Sequence, residues 1–179
     1  MTEVVWHVVT SLDGYVAAPG DDMRWIFELH TEPSDTAHEV MTRTGAILMG
    51  RGTYEVEDRD RPGIYGGAWR GALFVLTHEP PVEVPDWMTG EFLDASIEDA
   101  VARGKAAAGD LDVGILGPTV ARQCLEAGLL DEIVVHIAPI LLGDGTRLLD
   151  RPGTQQTRLE KVSVAESGPL TDLRFRVVR

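Results

Sequence analysis

The sequence predicts an α/β domain with a largely parallel sheet, on three observations. Several short β-branched runs are apolar at every position, helical patterns lie between them, and only the C-terminal end alternates apolar with polar residues. A strand covered on both faces has no wet side on which to place polar residues, so continuous apolar runs point to the interior of a parallel sheet. Alternation of such runs with helices is the pattern of α/β architecture.

The elements follow in chain order. Residues 4–9 (Val4-Val5-Trp6-His7-Val8-Val9) form the first buried strand, closed by the turn signal Ser11-Leu12-Asp13-Gly14. Residues 46–49, 72–76 and 113–116 repeat the pattern, each bounded by glycine or a polar residue. A short helix is expected over 36–43, with Ser34 or Asp35 available as its cap. Ser96 caps a second helix, Glu98 and Asp99 favour its first turn, and it runs through alanines to Gly109. Pro118 enters a third over 119–127, which Gly128 closes. Residues 132–137 read as another buried strand, leading through 139–142 into the tight turn Gly143-Asp144-Gly145. Residues 158–166 and 170–178 alternate around Ser167-Gly168-Pro169, an antiparallel hairpin. Irregular segments are expected at 19–23, 59–71 and 79–87, as loops within one domain spanning 1–179.

Composition limits the partners. With 16 Lys+Arg against 29 Asp+Glu, the net charge is -13 and the pI near 4.7. Nucleic acid and anionic membrane surfaces both need clustered basic residues, so neither is an expected partner. A small anionic ligand is still compatible, through a local pocket that overrides the global field. The single cysteine, Cys124, excludes an intrachain disulfide and any multi-cysteine zinc site, and its helical setting reads as core. His7, His30, His38, His78 and His136 show no metal-binding spacing, so no metal is expected. His7 and His136 sit inside apolar strands and read as structural. The N-terminus lacks a signal-peptide pattern and no run reaches the ~20 apolar residues of a membrane span, so a cytoplasmic protein is expected.

Two strand ends carry the chemistry. Ile47-Leu48-Met49-Gly50-Arg51-Gly52-Thr53-Tyr54-Glu55 ends a buried strand in glycine, then supplies a guanidinium and a hydroxyl at the start of a helix. Free amides at such a start attract phosphate; taken alone, the stretch also fits an ordinary strand-to-helix turn. It is not a dinucleotide fingerprint, because position 55 is Glu rather than a third glycine. Leu116-Gly117-Pro118-Thr119-Val120 repeats the logic at a second strand end. Leu76-Thr77-His78 ends a third, where Thr77 and His78 suit either a phosphate or ribose contact or a solvated loop. Trp25 and Trp69 offer flat surfaces for a heterocycle, and Trp6 reads as core.

Together, Ser11-Leu12-Asp13-Gly14-Tyr15-Val16-Ala17, the Met49-Gly50-Arg51 stretch, and Leu130-Asp131-Glu132-Ile133 with Pro139-Ile140-Leu141-Leu142-Gly143-Asp144-Gly145 resemble the dihydrofolate reductase superfamily. Within it the chain is similar to the stand-alone branch related to the C-terminal reductase domain of the bifunctional riboflavin-biosynthesis deaminase/reductase. That resemblance implies a three-layer α/β/α fold with a mainly parallel central sheet and an antiparallel C-terminal strand. It implies NADPH as cofactor, with Gly50, Arg51 and Thr53 on the adenosine-side phosphates and Thr77 and His78 near the adenine ribose. Gly117, Pro118, Thr119 and Val120 would receive the pyrophosphate, Ala17 would lie near the nicotinamide, and Asp13 on the substrate side, with Trp25 read from its own flat ring as a further substrate contact. Pro118 departs from the family's adjacent glycines and removes one donor, and His78 stands where an arginine is common. By the same resemblance Asp35 is the candidate proton donor, with helix capping as its other role and Glu39 one turn later. The implied activity is hydride transfer to a small nitrogen heterocycle or related carbonyl, closest to 5-amino-6-(5-phosphoribosylamino)uracil reduction. Dihydrofolate reduction and non-catalytic nucleotide or pterin binding are the alternatives. A homodimer through the C-terminal part of the sheet is also implied.

Overall fold

The computed structural model describes residues 2–179 apart from 30–33, 61–62, 89, 151 and 153–155, and apart from the side chains at 58 and 60. His30 and part of the expected irregular segment 59–71 therefore lie outside the described residues. The main sheet has eight strands, in the order β5-β4-β3-β6-β1-β7-β10-β9. Its centre is β1 (Val4–Ser11), flanked in parallel by β6 (Asp112–Leu116) and β7 (Glu132–Ala138). Beyond β6 the parallel run continues through β3 (Thr44–Gly50), β4 (Ala72–Leu76) and β5 (Glu91–Leu93). On the other side β10 (Leu170–Val178) pairs antiparallel with β7, and β9 (Arg158–Ser167) closes the sheet as a hairpin with β10.

Burial explains the apolar runs. Val4, Ala46, Ile47, Leu48, Met49, Val113 and Ile115 are fully enclosed because both faces of these strands are covered. One face packs under α4 (Ile97–Ala108) and α5 (Pro118–Glu126), joining Trp6, Leu48, Val101, Ile115 and Val120 in the larger core. The other face lies under α2 (Asp35–Arg43), whose Val40 meets Val5 and Val134. Beside it, α3 (Arg51–Asp60) sets Tyr54 among Ile47, Met49 and Trp69. Each such side chain contributes about 1.5–3 kcal/mol by leaving water. Among the described residues, no helix is long and apolar enough to cross a membrane.

Local signals set the helix boundaries. Ser96 accepts from the Asp99 amide at 3.1 Å and Ser34 from the Ala37 amide at 3.0 Å, so Ser34, not Asp35, caps α2. The α3 helix starts at Arg51, directly after the strand, so Thr53 lies within its first turn rather than capping it. It also runs to Asp60, past the start of the segment expected to be irregular. Four short elements carry too little pattern to be read from sequence: β2 (Tyr15–Ala17), α1 (Arg24–Glu28), β5, and β8 (Thr146–Arg147), which pairs with β2. Trp69 is no open platform, because it is buried and its Nε1 donates to the Thr44 carbonyl at 2.9 Å. Trp6 is core, 1% exposed.

Asp13 ties the carboxyl ends of β1 and β7 together. Its carboxylate accepts from the Ser11 hydroxyl at 2.6 Å and from the amides of Gly143 at 2.7 Å and Leu142 at 3.1 Å. Those donors, the Ser11 hydroxyl foremost, hold its pKa down to about 2. A carboxyl depressed on folding stabilises the protein above its ordinary value of 3.8 and loses that effect as pH falls through about 2. Asp13→Asn is therefore expected to lower the melting temperature at neutral pH, with the gap to the parent narrowing as pH drops from 3.8 toward 2. A thermal-melt series across that range checks it; a gap independent of pH would show that the tie does not depend on the charge.

Candidate active site

The carboxyl edge of the sheet brings two helix starts together. β3 ends at Gly50 and gives way to α3 at Arg51; its neighbour β6 ends at Leu116 and gives way, through Gly117, to α5 at Pro118. The helices leave on opposite faces, but their first turns touch. A Cβ on Gly117 would fall 2.0 Å from Thr53 Oγ1, and one on Gly50 would fall 3.6 Å from Val120 Cγ2. Gly117 has φ 85°, a left-handed conformation that disfavours any side chain, and no side chain caps α5. Ala121 is the first residue of this helix whose amide bonds back, to the Gly117 carbonyl at 3.3 Å. Pro118 has no N–H, so the Thr119 and Val120 amides are the donors at the positive end of the helix dipole. Glycine where a side chain would fill the cleft, a hydroxyl at the crossing and two helix starts together fit a pyrophosphate. The residues present therefore suit a dinucleotide.

The outer part of this edge is already ion-paired. Arg51 is exposed and donates through Nε to Glu55 at 2.7 Å, and through a terminal nitrogen to the Glu79 carbonyl at 3.1 Å and carboxylate at 3.4 Å. His78 Nδ1 lies 2.5 Å from Asp94, both exposed. The Thr77 hydroxyl donates to the Glu79 carbonyl at 3.2 Å and accepts from the Glu79 amide at 3.1 Å. A phosphate reaching Arg51 here meets the two carboxylates already on it, Glu55 and Glu79.

On the substrate side the expected residues are less grouped. Ala17 is buried in β2. Asp13 is engaged in the tie to Leu142 and Gly143. Trp25 is buried against Ala138 and Leu170, and its Nε1 is buried with no hydrogen-bond partner, an orphan donor on this side of the sheet. Asp35 is the exposed first residue of α2.

The buried titratable groups beside that helix are others. The Tyr65 hydroxyl lies 2.7 Å from His7 Nδ1, His7 Nε2 lies 2.7 Å from His136 Nε2, and His136 Nδ1 lies 2.6 Å from Asp172. Burial drives the His7 imidazole down to about 3 and pushes the Tyr65 phenol up. Burial also works to raise the Asp172 carboxyl, but hydrogen bonding from Ser34 and His136 outweighs it and holds the group below its ordinary value. Sequence reasoning placed both histidines in buried strands as structural residues. It had no means of pairing them, because Tyr65, His136 and Asp172 come from three distant parts of the chain. Cys124 is enclosed in α5, its thiol pushed up to about 12 by burial, far from any role here. Among the described residues, no cluster of three or more His, Cys, Asp or Glu could hold a metal.

Sheet order and layering define an α/β domain of the dihydrofolate reductase fold. More particularly, the chain belongs to the RibD C-terminal domain family, whose model matches residues 2–171. It is 28% identical over 190 residues to the riboflavin biosynthesis protein RibD of Mycobacterium tuberculosis, covering 94% of this chain and 52% of that one. The chain thus spans about half the length of that relative. A solved structure from Shewanella sp. PV-4, named for riboflavin biosynthesis, superposes with a TM-score of 0.82 at 23% identity, covering 99% of this chain and 100% of the other. A deaminase and 5-amino-6-(5-phosphoribosylamino)uracil reductase from Thermotoga maritima gives 0.70 at 20% identity, over 99% of this chain and 57% of that one. Dihydrofolate reductase from Enterococcus faecalis, complexed with NADP(H), gives 0.61 at 13% identity, over 99% and 97%. At these identities the superpositions establish the fold.

Gly117→Ala is expected to destabilise the protein by about 1–3 kcal/mol, from the left-handed backbone and the contact with Thr53. Denaturant melts measure it. Stability equal to the parent would show that the crossing tolerates a side chain and is not built for close approach.

Proposed function

We propose that this chain is an NADPH-dependent reductase that delivers hydride to a small nitrogen heterocycle or a carbonyl or imine attached to one. The reaction nearest to hand is reduction of 5-amino-6-(5-phosphoribosylamino)uracil. The observation that carries this reading is the convergence of the α3 and α5 starts, with Gly117 against Thr53, in a member of the RibD C-terminal domain family. The Thr119 and Val120 amides and the first turn of α3 would hold the pyrophosphate, with Ala17 toward the nicotinamide. The bound cofactor supplies the hydride; the chain supplies orientation, exclusion of water and a proton.

NADPH is expected to raise the melting temperature, since a ligand that binds only the native state stabilises it by mass action. No shift at millimolar NADPH, NADH or NADP would remove the cofactor. NADPH oxidation with the pyrimidine as substrate, and dihydrofolate beside it, separates the two reductase readings; cofactor binding without turnover of either supports the non-catalytic alternative. Arg51→Ala is expected to weaken NADPH about tenfold through loss of a charge-assisted contact, measured by calorimetry. Unchanged affinity would leave Arg51 with only its Glu55 and Glu79 partners.

A homodimer through the C-terminal part of the sheet is part of the same proposal. β7 is an interior strand between β1 and β10, so it offers no edge. The edge on the C-terminal side is β9, where Leu159, Val162 and Val164 are 45%, 46% and 54% exposed. An unpaired edge with apolar side chains is commonly buried by self-association. Light scattering at tens of micromolar is expected to give twice 19.5 kDa, and Val164→Asp to return the mass to 19.5 kDa without unfolding. A parent mass of 19.5 kDa would rule the dimer out.

A further inference from the structure

From the four-membered buried chain Tyr65, His7, His136 and Asp172, we propose a proton relay that discharges through the Tyr65 hydroxyl. This rests on the reductase reading above for its purpose, though not for its existence. The relay crosses three adjacent strands on one face of the sheet: Asp172 on β10 stands opposite His136 on β7, and His7 lies next on β1. His7, His136 and Asp172 are 8%, 2% and 2% exposed, and Tyr65 is the one member that keeps partial exposure as a residue, so the enclosed chain comes nearest the surface there.

The hydrogen positions follow from what each group can do. An ionised Asp172 only accepts, so His136 Nδ1 carries a hydrogen. While His136 is neutral its Nε2 accepts; His7 Nε2 must then donate, and His7 Nδ1 accepts the Tyr65 O–H. Add one proton and the order reverses. His136 becomes an imidazolium against Asp172, its Nε2 donates to His7 Nε2, and the His7 hydrogen stands on Nδ1, donating to the Tyr65 oxygen. The two states differ by one proton and keep every link of the chain.

Returning from the second state to the first releases that proton. The Tyr65 O–H bond breaks toward an external acceptor, the His7 Nδ1 hydrogen passes to the Tyr65 oxygen, and the His136 Nε2 hydrogen passes to His7 Nε2. His136 is left neutral. No tyrosinate forms, which matters because burial makes the phenol a poor acid by itself. In a reduction of C=N, a bound nicotinamide would supply hydride to the carbon and this proton would go to the nitrogen; the relay reloads from solvent.

The backbone at Tyr65 supports an outlet. Tyr65 holds φ 51°, and among the described residues Asp21 is the other non-glycine with positive φ. Backbone strain of this kind persists where its surroundings enforce it. Here Gly63, Gly66 and Gly67 also take positive φ, and the Gly66 and Gly67 amides close back on the carbonyls of Gly63 and Ile64. The resulting tight loop sets the ring against both the Ile47–Met49 cluster and His7, bridging the ground beneath α3 and α2. The charged and titratable groups facing the histidines are Asp172 and Arg174 of β10, Glu39 of α2 through its 3.1 Å bridge to Arg174, Tyr65 itself, and Glu57 of α3 beyond it.

Long-range 15N–1H NMR of the whole labelled chain reads the tautomers directly as pH is lowered. Protonation of His136 accompanied by a switch of His7 from the Nε2–H to the Nδ1–H form supports the relay; His7 keeping one tautomer throughout overturns it. Asp172→Asn is expected to abolish the proton-loaded state in the same spectra, and its persistence there would overturn the assignment of Asp172 as counter-ion. Neither reading needs turnover, so a failed reductase assay removes the function proposed above and not the relay. With turnover, Tyr65→Phe is expected to lower kcat about a hundredfold with KM unchanged, alongside a lower Tm because His7 Nδ1 loses its partner. An unchanged kcat overturns Tyr65 as the outlet.

Discussion

The inner strands of the sheet are covered on both faces, and that enclosure decides where this molecule can meet a ligand. Among the described residues, six neighbouring strands run parallel, and their side chains leave no wet face on which a ligand could be received. Chemistry is then confined to the ends, and chain direction selects the carboxyl end, where strands hand over to helices whose first amides lack partners. The acidic character of the whole chain is compatible with an anion at such a helix start. A helix start acts over a few ångströms, whereas salt screens the wider field beyond about 8–10 Å.

The same constraint makes the histidine pair conspicuous. A polar group enclosed in a sheet is tolerated when it is hydrogen-bonded and is expensive when it is not. His7 and His136 satisfy each other, and each has a further partner at its second nitrogen. Such an arrangement cannot be changed at one point without stranding the next group. Its members are therefore coupled in protonation as well as in stability.

Much of the fold was legible because its signals are local. Continuous apolar runs at 46–49, 72–76 and 113–116, Ser96 as a cap and Pro118 as a helix entry each report on their own neighbourhood, and each names an element that is present. The meeting of two helix starts at Gly50 and Gly117 was legible for the same reason, since glycine after a buried strand is visible in sequence. What escaped is non-local. The engagement of Arg51 with Glu79 and of His78 with Asp94 joins loops whose approach only the folded sheet determines. The capping ambiguity between Ser34 and Asp35 was a matter of one residue, which geometry alone resolves. The buried polar chain is the extreme case: β1, a loop, β7 and β10 meet there, and no spacing rule connects them.

The enclosure of Cys124 has a practical side. It is the chain's one thiol, it sits within the core under α5, and burial keeps it in the protonated, unreactive form. A cysteine introduced anywhere on the surface would therefore be the single site open to a maleimide or a spin label. Distances and motions around the cleft become measurable one position at a time, without first stripping a native thiol from the interior and disturbing the packing it completes.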